Sequence, residues 1–154
     1  MSTVAASVLR EAISELRQKR LDVYTFALYF DHESKAISVC ADTASNSAAT
    51  VRGINTYNRR YFDPALAAGD LKAASLWCSN IGRSLSLGDF VARNLARTPV
   101  KGSIIGNEFF VGMLRALMDA ESDIVTLTSD KDTLLLCCTG PSDETEFYWG
   151  LPAG

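Results

Sequence analysis

At 154 residues, with 47 % hydrophobic and 21 % charged positions, the chain has the length of one domain (residues 1–154) and the composition of a folded protein, which excludes a disordered tail. Its formal net charge is −3, yet residues 119–146 are far more acidic: Asp119, Glu121, Asp123, Asp130, Asp132, Asp143, Glu144 and Glu146 face one base, Lys131, leaving −7 there and about +4 elsewhere. A pI near 5.1 argues against nucleic acid as the main partner, and no apolar run approaches the ~20 residues of a membrane span.

Residues 4–20 place Ala5, Val8, Leu9, Ala12, Ile13 and Leu16 at helical spacing, which predicts an amphipathic opening helix. Over residues 21–31 the period changes to two. Tyr24, Phe26, Leu28 and Phe30 share one face of a predicted strand, and Val23, Thr25, Ala27 and Tyr29 share the other. A second strand is predicted at 36–41, joined by the hairpin His32-Glu33-Ser34-Lys35. A helix is expected at about 46–61, closed by Asp63-Pro64, because the residue before a proline avoids helical backbone. Residues 71–78 suggest a third strand, 87–97 a short helix, and 107–121 a stronger helix with Asn107 as N-cap and an apolar stripe of Phe109, Phe110, Met113, Leu114, Leu117 and Met118. Strand-like runs at 124–128 and 133–139 flank the turn Ser129-Asp130-Lys131-Asp132, and residues 146–149 suggest an edge strand.

The order α-β-β-α-β-α-α-β-β is not an alternating βαβ pattern. It predicts an α+β fold, an antiparallel sheet of about five strands with helices packed on it. Cys40, Cys78, Cys137 and Cys138 are expected as buried free thiols, since Cys137 and Cys138 point to opposite faces of one strand and no CxxC spacing occurs. The start of the sequence lacks the basic residues and the about 7–15-residue apolar run of a secretory signal. A reducing cytoplasm is therefore the expected compartment.

Candidate chemistry is sparse. His32 is the only histidine, so any histidine-dependent nucleophilic mechanism runs through it; in a hairpin between Asp31 and Glu33 an exposed, solvated ring is the expectation. Asp130 and Asp132 resemble two ligands of a calcium loop whose remaining ligands are missing, so a solvated turn is expected and no metal or cofactor is assigned. Gly102 and Gly106 match no phosphate-loop pattern. Arg52, Arg59 and Arg60 with Tyr57 and Tyr61 form the one basic-aromatic cluster, suited to a ligand pocket or to pairing with the acidic region.

The opening helix, the strand Thr25-Phe26-Ala27-Leu28-Tyr29-Phe30-Asp31, its partner Ile37-Ser38-Val39-Cys40-Ala41-Asp42-Thr43 and the late Met113-Leu114-Arg115-Ala116-Leu117 helix together resemble a bacterial family of short α+β proteins. That family overlaps in style with immunity proteins encoded beside contact-dependent or type VI toxins. The resemblance implies a non-catalytic inhibitor that binds a protein partner. The segregated charge puts the expected contact on the eight acids of residues 119–146, facing a basic target. A secretion chaperone, or a small enzyme or ligand-binding domain using Tyr57, Arg59, Arg60 and Tyr61, are the alternatives.

Overall fold

Two helices, α1 (Ser2–Lys19) and α4 (Asn107–Asp119), lie on one face of a five-stranded sheet and seal the main core. The computed structural model describes residues 2–102, 104–142 and 144–152. The strands β1 (Thr25–Asp31), β2 (Ala36–Asp42), β3 (Ala92–Pro99), β4 (Leu135–Thr139) and β5 (Thr145–Gly150) are ordered β3-β2-β1-β4-β5. The architecture is α+β and the sheet mostly antiparallel, with one parallel pairing between β1 and β4.

The periodicities of the sequence explain this layering. Ala5, Val8, Leu9, Ala12, Ile13 and Leu16 of α1 are all buried against Phe26, Leu28 and Phe30 of β1 and their neighbours. Phe109, Phe110, Met113 and Leu117 of α4 fill the same core, whereas Met118 faces solvent and Leu114 is half-buried. The N-cap of α4 is Gly106, so Asn107 is the first helical residue and not the cap. On the opposite face of the sheet Ala27, Cys40 and Cys137 are covered by Phe90, Leu85 and Leu87 from an irregular segment. Cys137 and Cys138 thus serve opposite cores, as strand alternation requires.

Four segments depart from expectation. Residues 71–78 are not a strand. Asp70 caps a short helix, α3 (Leu71–Ser75), by accepting a hydrogen bond from the Ala73 N–H at 3.0 Å, and the alanine pair favours that outcome. The helix expected at 87–97 is a 3-10 turn (Leu87–Asp89) followed by the bulged strand β3. Leu95 pairs with Val39 and Ala92 with Ala41, so three steps on β3 match two on β2. That bulge spaces the buried residues three apart, which mimics a helix.

Residues 124–128 close α5 (Glu121–Ile124) and form a second 3-10 turn (Val125–Leu127), with Ile124 and Leu127 buried. Finally, α2 (Ala44–Ala67) runs through Pro64 for another turn. The stop comes at Gly69, whose φ of +70° reverses the chain. Cys78, expected inside, is exposed at the end of that excursion.

Candidate functional site

The helix α2 leaves the sheet at Asp42 and packs on α3 and the chain returning from it, not on the main core. Its base is clamped. Thr43 caps the helix by accepting from the Asn46 N–H at 3.2 Å; the Asn46 amide donates to Asp42 Oδ1 at 2.7 Å and to the Asp89 carbonyl at 2.8 Å. The Val91 N–H also reaches Asp42 Oδ1, at 3.2 Å, and the Ser84 N–H donates to Ser47 Oγ at 2.9 Å. Ser47 is the one residue of this helix that is buried. With 24 residues, α2 is about 36 Å long, so most of it projects as an arm.

Along the arm the returning chain is stitched to α2 by side-chain amides. Asn55 donates to the Asn80 carbonyl at 3.1 Å and accepts from the Asn80 N–H at 2.7 Å, and Asn58 donates to the Cys78 carbonyl at 3.1 Å. Trp77 stacks on Tyr61 with centroids 4.6 Å apart, and Tyr57 completes the cluster at 5.2 Å from Tyr61. The Tyr57 hydroxyl is pushed above its ordinary pKa, chiefly by its hydrogen bond to Tyr61. Tyr57, Tyr61, Leu66, Leu71, Leu76 and Ile81 are all exposed, from 44 % for Tyr61 to 90 % for Ile81.

A second stripe of α2, with Arg52, Asn55, Thr56, Arg59, Arg60 and Asp63, lines an open depression of about 640 Å³ together with Ser79. Arg59 pairs with Asp63 at 2.5 Å, one turn along, and not with the acidic region. Tyr57 and Tyr61 do not line this depression, so the pocket expected beside them is divided into a polar trough and an aromatic ridge. Sequence reasoning found the tyrosines and arginines but missed Trp77 and the leucines, because a strand at 71–78 would have carried them into the core.

Of the eight acids, the seven among the described residues do not form one patch. Asp119 ends α4 and Glu121 and Asp123 lie on α5; Asp130 and Asp132 precede β4, whereas Glu144 and Glu146 lie at the start of β5, at the opposite end of β4. Since β4 has five residues, those two groups are separated by roughly 13–17 Å of strand. Asp143 lies outside the described residues. Several of the acids have structural partners: Glu121 accepts from the Trp149 indole at 3.1 Å, Asp130 accepts from the Asp132 N–H at 3.0 Å, and Glu146 accepts from the Ser142 N–H at 2.5 Å. The Ser142 bonds hold the Glu146 carboxyl below its ordinary pKa.

The remaining candidates also find places. His32 is half-buried and not a free hairpin side chain: Nε2 bonds the Gly140 carbonyl oxygen at 3.0 Å, Phe30 meets the ring edge-on and Phe110 stacks on it. Among the described residues no group of three His, Cys, Asp or Glu is placed to hold a metal ion, and no helix is long and apolar enough to cross a membrane. A cavity of about 590 Å³ opens on the second face of the sheet, between Tyr29, Cys40, Leu87, Arg93, Glu144 and Thr145. Arg83, unremarked in the sequence, closes the excursion by donating to the Tyr24 carbonyl at 2.7 Å and the Thr133 carbonyl at 2.6 Å, with its guanidinium 3.7 Å over the Tyr24 ring. No family model, curated protein or solved structure matches this chain.

Proposed function

We propose that the protein is a non-catalytic protein-binding inhibitor and that the α2–α3 arm is its principal contact element. One observation carries the reading: an arm whose two helices bury only Ser47 and Ala74 holds aliphatic side chains out to solvent along with a tyrosine-tryptophan cluster. A helix of this kind gains little for folding from its apolar ridge, and contiguous exposed apolar surface marks interaction sites. Tyrosine, tryptophan and arginine are the residue types that dominate binding energy at protein interfaces.

The arm is basic, with Arg52, Arg59, Arg60 and Lys72 against Asp63 and Asp70, which suits an acidic target surface. The immunity protein of a bacterial toxin is the form that the sequence resemblance gives to this proposal. The test is stoichiometric. Mixed with the toxin encoded beside it, the protein is expected to inhibit one-to-one and at once, and Tyr61→Ala with Trp77→Ala should abolish the complex while the fold persists. Time-dependent protection at a small molar fraction would overturn the inhibitor reading in favour of an enzyme. The cavity beside Tyr29 and Arg93 supports the ligand-binding alternative, and saturable binding of a small molecule there would establish it.

A further inference from the structure

The two edges of the sheet are built differently. On β3 the backbone turns left-handed at Asn94 (φ 55°) and Ala96 (φ 52°), the pairing with β2 slips twice, and the strand ends at Pro99. Bulges, charged side chains such as Arg93 and Arg97, and a terminal proline are the devices by which an edge refuses another strand. The other edge, β5, has a single register shift, at its start where Glu146 stands between Thr145 and Phe147, and then runs without bulge, charge or proline along Phe147-Tyr148-Trp149-Gly150. Phe147 and Tyr148 are 39 % and 59 % exposed, and among the described residues the backbone of β5 is hydrogen-bonded to β4 alone. Alternate N–H and C=O groups therefore face outward without a ladder partner.

Charge decides what can dock there. Glu146 stands at the start of the strand, Glu144 just before it at the rim of the second-face cavity that Arg93 also lines, and Glu121 is bonded to Trp149 in its second half, while no residue after Lys131 in the sequence is basic. Two copies of this edge would bring like charges together, and an acidic strand would be repelled. We propose that the free edge of β5 accepts an extended, lysine- or arginine-bearing segment of a partner protein as a sixth strand. Backbone pairing would supply the attachment and the flanking carboxylates the selectivity. The proposal is separate from the arm, which is basic and helical, and gives the acids beside β5 a role the arm does not.

The experiment uses the 15N-labelled full chain and two synthetic peptides, one alternating lysine with valine and one alternating glutamate with valine. The lysine peptide is expected to shift and protect the amides of residues 145–150 at low salt, and the glutamate peptide is not. Glu144→Lys, at an exposed side chain, should raise the dissociation constant at least about fivefold, and added salt should do the same by screening. Tyr148→Lys should weaken binding similarly without altering the fold, whereas Tyr61→Ala with Trp77→Ala should leave it unchanged. Shifts confined to the arm, equal binding of both peptides, self-association through residues 145–150 without peptide, or no shift at all would each overturn the proposal.

Discussion

Asp31 closes β1 and organises the hairpin that follows. Its carboxylate accepts from the Ser34 hydroxyl at 2.5 Å, from the Glu33 N–H at 3.0 Å and from Arg97 at 3.2 Å. These bonds, led by Ser34, hold its pKa from the ordinary 3.8 down to about 2. A depressed carboxyl pKa means that the folded state binds the proton less readily, so the contribution of Asp31 is present above pH 3.8 and fades as the pH falls through about 2. Asp22, lowered by its bonds to Ser129, acts in the same direction. An NMR titration should find the Asp31 carboxyl near 2, and Ser34→Ala should move it back towards 3.8; a midpoint unchanged by that substitution would remove Ser34 as the cause. The thiols behave oppositely. Burial pushes Cys137 and Cys138 up to about 12, and Cys40 is also raised, while Cys78 is exposed. Alkylation of the native protein should therefore label Cys78 alone, the other three reacting only on unfolding.

At the scale of elements, a regular period made structure legible and an irregular one concealed it. The alternation of Phe26, Leu28 and Phe30 and the three-and-four spacing through α1 lead directly to their buried faces. The spacing of Ala92 and Leu95 misleads because left-handed backbone at Asn94 and Ala96 puts an extra residue into the strand; asparagine favours that backbone more than most residues, but nothing in the Ala96 side chain announces it. The aromatic-arginine cluster of α2 was visible as composition, but its status as a projecting ridge depends on α3 folding back, which local sequence does not reveal. The joint holding the arm is testable. Asp42 is 1 % exposed and its Oδ1 serves both Asn46 and Val91, while Oδ2 has no partner among the described residues. Asp42→Ala should cost about 1–3 kcal/mol by removing the buried acceptor that two part-buried donors share. Hydrogen exchange should quicken first at residues 44–50 and 84–91, and uniform acceleration across the sheet would show that Asp42 supports the core instead.

For the molecule as a whole, the structure separates what folds the chain from what it presents. Leu117, on α4, is fully buried between the helices and the sheet, whereas Leu76, just beyond α3, is 74 % exposed. The two side chains are chemically identical, so truncating each asks how the position and not the residue type determines stability. Leu117→Ala removes apolar atoms from a packed interior and leaves a cavity, for a cost of about 2–5 kcal/mol. In a domain of this size that corresponds to a fall in melting temperature of roughly 5–15 °C. Leu76→Ala removes atoms already in water and should shift the melting temperature by no more than about 2 °C, since surface substitutions usually stay within about 0.5 kcal/mol. Calorimetry of the two variants measures both. Comparable losses would place Leu76 in the cooperative core and deny the arm its role as a presented surface; a loss confined to Leu117→Ala, with Leu76→Ala weakening only partner binding, would tie the arm to recognition.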